Sequence, residues 1–202
     1  MIETHPGRFP RRLRILAIIG AAVLAAAASA AIVWSVLPPM PNHLITVKPG
    51  VLYRSACPKP HELESVIRRY GIRTVVNLCT NGETTHPARY AEEEPICASN
   101  GAKFVNLPMI PDSPPSEKAL DEWLRLFQSP ERLPVLVHCK HGVVRTGEMV
   151  AAYEIEYMNG IPAEVWEKLP RFGHDLDKPP RRKVRDFVTG YSKRLSGPPP
   201  EK

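Results

Sequence analysis

With 202 residues, 43% hydrophobic and 24% charged, the chain has a globular balance and length for one ordinary domain with its own core, which excludes a disordered chain and a disulfide-stapled miniature scaffold. Arg8, Arg11, Arg12 and Arg14 against Glu3 supply +3 of the formal +6, so the rest is only mildly basic and gives no ground for a nucleic-acid partner. The four cysteines, Cys57, Cys79, Cys97 and Cys139, contain no CxxC pair, so no zinc motif is expected.

From the N-terminus, a basic segment (1–14) leads into Ile15–Leu37, 23 residues without a formal charge. At ~1.5 Å per residue such a helix spans a ~30 Å hydrocarbon core. Four arginines precede it and no basic residue follows until Lys48, which places the N-terminus in the cytoplasm and the following domain outside it, in the periplasm of a bacterium. Trp34 suits an interfacial anchor. A cleaved signal peptide competes, because Ala28-Ser29-Ala30 has the small-x-small form of a cleavage site; the apolar run continuing to Leu37 favours an uncleaved single-pass anchor. Pro38-Pro39-Met40-Pro41 opens a proline-rich linker (38–48), and the main domain is expected over 49–195.

Within it, Val51-Leu52-Tyr53 reads as a short strand. His61–Tyr70 carries Leu63, Val66, Ile67 and Tyr70 at helical spacing and ends at Gly71. Thr74–Leu78 reads as a buried strand, 88–100 as a helix interrupted by Pro95, and Lys103–Leu107 as another strand. Ser116 caps a helix with Leu120, Trp123, Leu124 and Phe127 on one face. Val135–His138 is a third buried strand, followed by a helix over 145–158 that stops at Asn159-Gly160. A short helix is expected over Ala163–Leu169, and a last one showing Val184, Phe187, Val188, Tyr191 and Leu195. Lys178, Arg181, Arg182, Lys183 and Arg185 lie at its start, as a solvated face or a patch for anionic headgroups or phosphorylated substrates. Residues 196–202 read as a disordered tail. This alternation argues for an α/β fold, a central mixed sheet flanked by helices.

The chemistry gathers in Pro134-Val135-Leu136-Val137-His138-Cys139-Lys140-His141-Gly142-Val143-Val144-Arg145-Thr146-Gly147. A buried strand delivers Cys139 to the carboxyl edge of the sheet, and Arg145 opens a helix five residues later. Backbone N–H groups at a helix start attract a dianion, and a loop of this length closes around one phosphate. The phosphate-binding set is therefore Lys140, His141, Gly142, Val143, Val144 and Arg145. The same field favours a thiolate nucleophile. A guanidinium at 145 binds two phosphoryl oxygens with parallel hydrogen bonds, which a lysine does not reproduce. Neither a metal nor a cofactor is needed for this chemistry.

The stretch His138–Gly147 resembles the H-C-x-x-G-x-x-R-[ST]-G loop of the protein tyrosine phosphatase superfamily at every defined place. Val51–Ala56 with Pro58, and Gly71–Leu78 with Glu83 after it, resemble the entry segment and first core strand of compact dual-specificity-like members. The resemblance implies a cysteine-based phosphatase fold and hydrolysis of phosphomonoesters through a phosphocysteine intermediate. It implies that the hydroxyl of Thr146 hydrogen-bonds the nucleophile and helps expel it. It also implies an aspartate general acid on a mobile loop upstream. Asp112, in Pro108–Ser116, matches that loop although its spacing of 27 residues before Cys139 is short; Asp121 and Glu117 are rivals on the following helix. His138 is expected to be structural, donating to backbone beneath the loop. Cys79 is expected in the core, with reversible disulfide protection of Cys139 as the alternative implied by a resemblance to tensin-type lipid phosphatases.

Three readings follow. The first is a protein tyrosine or dual-specificity phosphatase. The second is a phosphatase of phosphoinositides, other phospholipids or inositol polyphosphates, favoured by membrane tethering and the basic late segment. The third is a non-catalytic phosphate-binding module, disfavoured because Cys139, Arg145 and Thr146 are all present. A monomer is expected.

Overall fold

The computed structural model describes residues 12, 15, 16, 18–25, 38–80 and 88–195. The chain divides into Met1–Pro38 and Pro39–Lys202. In the first unit the described residues are exposed and, apart from Pro38, helical. Among the described residues no helix is long and apolar enough to cross a membrane. The anchor expected over Ile15–Leu37 lies in large part outside the described residues, as does the tail expected over 196–202.

The second unit is built on a five-stranded mixed sheet: β1 (Ile45–Lys48), β2 (Leu52–Ala56), β3 (Thr74–Asn77), β4 (Lys103–Asn106) and β5 (Val135–Cys139), in the order β1-β2-β5-β3-β4. β1 is antiparallel to β2, and every other pairing is parallel. The helices are α1 (Pro60–Tyr70), α2 (Ala88–Ser99), α3 (Glu117–Leu126), α4 (Val144–Tyr157), α5 (Pro162–Lys168) and α6 (Arg182–Thr189).

Strand periodicity assigns the two faces. Leu52, Val76, Val135 and Val137 pack into the larger cluster with Trp123 of α3, Met149 and Tyr153 of α4, Trp166 of α5 and Val184 and Val188 of α6. Their neighbours Tyr53, Val75 and Leu136 point the other way, onto Leu63, Val66 and Ile67 of α1 and Cys97 of α2. β5 is central and buried along its whole length, as the apolar run before Cys139 requires.

Three boundaries differ from expectation. Ile45–Lys48, placed in the linker by its prolines, is an edge strand paired with β2. α2 runs through Pro95 without ending there. α6 ends at Thr189, and Gly190 follows it; Tyr191 is still buried against the core, but from a non-helical segment. The apolar spacing read there as one helix is a helix plus a docked tail.

Candidate active site

β5 ends at Cys139, and α4 begins at Val144, one residue before the expected start. Between them the loop turns back at Gly142, whose φ is +67°. A Cβ at this glycine would stand 2.4 Å from the carbonyl oxygen of Ser55 and 2.5 Å from the amide nitrogen of Ala56, both backbone atoms of β2. Only glycine permits both the left-handed conformation and this approach. α4 has Val143 at its N-cap and no side-chain cap. No side-chain oxygen of the N-cap residue competes for the first-turn amides, which suits an anion at that end.

A cleft of about 240 Å³ opens above the loop. Cys139, Lys140, His141, Val143, Val144 and Arg145 line it, together with Pro111, Asp112, His174 and Arg181. The structure thus brings together the expected nucleophile, the guanidinium and the favoured general acid. Arg145 is buried, and its Nη1 donates to the carbonyls of Leu78 and Met109, each at 3.3 Å. The guanidinium is so braced between the end of β3 and the segment carrying Asp112. Asp112 has φ +54°, and its Oδ1 accepts from Nε of Arg181 at 3.1 Å. The rivals lie elsewhere: Glu117 and Asp121 pair with Arg194, and neither lines the cleft.

Two further findings revise the expectations, and a third agrees with the core position expected of Cys79. The hydroxyl of Thr146 is fully buried with no hydrogen-bond partner, so the bond to the nucleophile implied by the resemblance is not formed in this state. His138 does not donate to backbone; its Nε2 lies 3.2 Å from Oε2 of Glu93, without the alignment of a hydrogen bond. Cys79 is buried, its N–H donates to Oδ1 of Asn77, and none of the four cysteines forms a disulfide.

Sequence reasoning missed Arg54. This β2 side chain is 1% exposed, and its Nη2 donates to the carbonyls of Gly142 at 2.7 Å and Val143 at 3.3 Å. Burial lowers its pKa to about 10, opposed by attraction to Cys139 and Glu154. Drawing two loop carbonyls downward turns the adjoining amides toward the cleft. The local signal was a basic residue inside a strand that the parallel pairing with β5 buries. Glu148, one turn into α4, was also passed over. It is 0% exposed with both oxygens unpartnered, and desolvation, followed by repulsion from Cys139, pushes its pKa well above the carboxyl range.

The mouth is basic and rich in histidine. His141 and His174 lie with rings 5.2 Å apart, and His43 stacks on Phe172 at 3.9 Å while its Nδ1 sits 2.7 Å from the carbonyl oxygen of His141. Burial, then the neighbouring His174, Lys140, Arg145 and His43, lowers the pKa of His141.

Residues 51–170 match the family model described as "DSP-PTPase phosphatase fused to NAD+ Kinase". The chain is 29% identical over 188 residues, 89% of this chain and 79% of the relative, to the dual specificity protein phosphatase TpbA of Pseudomonas aeruginosa. The TpbA crystal structure superposes with a TM-score of 0.55 at 27% identity, covering 74% of this chain and 84% of TpbA. The catalytic core of the PP-IP phosphatase SIW14 from S. cerevisiae reaches a TM-score of 0.61 at 18% identity, covering 77% and 89% of the two chains, a likeness of fold.

Proposed function

The chain belongs to the compact dual-specificity-like family of cysteine-based phosphatases, and from that premise we propose how its own residues divide the reaction. The observation that carries the assignment is the meeting of Cys139, Arg145 and Asp112 in one cleft at an uncapped helix start. The sulfur of Cys139 attacks phosphorus; a P–S bond forms as the P–O bond to the leaving group breaks. Asp112 gives its proton to the departing oxygen. The guanidinium of Arg145 and the loop amides hold the equatorial oxygens, where charge is spread in the transition state. In the second half Asp112 takes a proton from water as that water attacks the phosphocysteine, and the sulfur departs toward the buried hydroxyl of Thr146. A catalytic contact left long in the unliganded state tightens when the reacting group arrives.

Asp112 must also leave or share its contact with Arg181 to reach a leaving group. Arg181 is therefore assigned a gating role, holding the acid loop against the segment before α6 until substrate competes for it.

The substrate assigned first is a phosphorylated protein side chain, phosphotyrosine foremost. In its favour, TpbA, the 29% identical relative, carries the name of a dual specificity protein phosphatase, and a cysteine-to-serine form of TpbA has been solved in complex with pTyr. A second reading, an inositol phosphate or phospholipid headgroup, rests on the three cations Lys140, Arg145 and Arg181 around one mouth, with the rings of His141 and His174 beside them as further hydrogen-bonding groups. Residues 15–37 are assigned as a membrane anchor, from their length and charge-free composition, with the catalytic domain outside the cytoplasm. A C-terminal reporter active only outside the cytoplasm tests this; a silent, well-expressed fusion contradicts it.

Hydrolysis of an aryl phosphate in reductant and chelator tests the chemistry. Cys139→Ser abolishes turnover and Asp112→Ala reduces it. Full activity in Cys139→Ser overturns the mechanism. Phosphopeptides and inositol phosphates run in parallel decide between the substrate classes.

A further inference from the structure

Away from the cleft, three potential metal ligands from three separate elements converge beside the loop strand. Cys57 follows β2, Glu93 lies on α2 and His138 is the next-to-last residue of β5. Sγ of Cys57 lies 3.8 Å from Oε1 of Glu93, and Nε2 of His138 lies 3.2 Å from Oε2 of the same carboxylate. One ligand atom from each falls within 4.8 Å of the others. A tetrahedral zinc ion, with sulfur at ~2.3 Å and nitrogen or oxygen at ~2.0 Å, has ligand–ligand edges of about 3.3 to 3.5 Å. The 3.2 Å separation matches that size, and the 3.8 Å separation exceeds it by a few tenths of an ångström.

Burial points the same way. Glu93 is 2% exposed and His138 0%. Neither ring nitrogen of His138 has a hydrogen-bond partner, a costly state for a fully buried imidazole. A metal bond at Nε2 satisfies one of the two nitrogens. Nδ2 of Asn77 donates to Oε2 of Glu93 at 3.1 Å, holding the carboxylate in place, as groups behind metal ligands do. Cys57 is only partly buried and gives the site an opening to solvent.

We propose that Cys57, Glu93 and His138 bind a divalent transition ion of the zinc class, at a site separate from the phosphate pocket. A thiolate, an imidazole and a carboxylate select such an ion over calcium or magnesium. On binding, the Cys57 thiol releases its proton to solvent; sulfur, nitrogen and oxygen each donate a lone pair, and no electron is transferred. Thiolate and carboxylate then cancel the two positive charges, leaving a neutral buried centre with a fourth position for water. The amide of Cys57 donates to the carbonyl of Lys140 at 3.3 Å, and His138 directly precedes Cys139. The ion thus fastens the end of β2, α2 and the loop strand into one unit. This inference does not rest on the phosphatase chemistry.

The full chain carrying Cys139→Ser, which removes the competing catalytic thiol, is titrated with cobalt(II) and then with zinc. A thiolate-to-cobalt charge-transfer band appears and zinc abolishes it. The band is missing when Cys57→Ser is added, and zinc raises the unfolding midpoint only where Cys57 is present. Glu93→Gln weakens zinc binding by at least ~10-fold, the scale on which even groups behind the ligands act. Absence of the band in the Cys139→Ser chain, or its persistence without Cys57, overturns the site. Should Cys57→Ser misfold, Glu93→Gln decides: unchanged zinc affinity in that folded variant refutes the proposal.

Discussion

Gly142→Ala is the substitution for which the structure sets the sharpest magnitude. A left-handed φ costs an alanine about 1–2 kcal/mol. The added Cβ would also sit 2.4–2.5 Å from three backbone atoms of Ser55 and Ala56. Those atoms belong to β2, paired in parallel with β5, so they do not yield. Ordinary contact begins at 3.4 Å, so the loop must retreat by roughly 1 Å. Overpacking of that kind costs a further ~1–3 kcal/mol. A displacement of ~1 Å at a reacting centre costs on the order of 10²-fold in rate. Gly147→Ala is the internal control: its Cβ would touch nothing nearer than Leu169 at 3.6 Å, and alanine is the better helix former by about 1 kcal/mol. Urea unfolding and kcat/KM on an aryl phosphate are measured for both. Gly142→Ala loses about two orders of magnitude in kcat/KM together with stability, whereas Gly147→Ala keeps both within a few-fold. A Gly142→Ala enzyme within threefold of the parent refutes the role given to the β2 contact.

Other outcomes follow from the same geometry. Arg145→Lys keeps the charge and loses the fork, so kcat falls by about 10²-fold or more while the fold survives, as circular dichroism will show. Arg54→Met removes two carbonyl contacts beneath the loop; kcat/KM drops and the unfolding free energy changes less than the rate does, because burying that cation already carried a desolvation cost. Glu148 holds a proton in the folded state over a window that opens at the usual carboxyl range and extends upward to its raised pKa. The unfolded chain has lost that proton, so stability falls as pH rises through the window. Glu148→Leu flattens this slope and stabilises the protein at neutral pH, read from urea midpoints at pH 5 and pH 7.5; an unchanged slope contradicts the assignment.

The catalytic loop was legible because its chemistry is local. A run of buried strand residues, a cysteine, five loop residues and an arginine at a helix start lie within one stretch of chain, and each needs only its neighbours to be understood. Asp112 was reached through the resemblance, which implies an acid on a loop upstream of the cysteine, and it lines the same cleft. What escaped depends on pairing between distant segments. Arg54 looks like any basic strand residue until the parallel register with β5 buries it beneath Gly142. Ile45–Lys48 follows a proline cluster that reads as spacer, and only the antiparallel ladder with β2 shows it to be sheet. The Arg181–Asp112 contact joins residues 69 positions apart. Cys57, Glu93 and His138 have no motif spacing, because three different elements supply them. The hydrogen bonds expected of His138 and, from the resemblance, of Thr146 are not formed by the local packing.

The most direct test of the account is acid quenching of the full chain during turnover of an aryl phosphate, with the phosphorylated peptide located by mass spectrometry in the parent and in Asp112→Ala. A phosphoryl group on Cys139, formed in both and lost in Cys139→Ser together with turnover, is the predicted result. Turnover with no adduct on Cys139, or undiminished in Cys139→Ser, would contradict it.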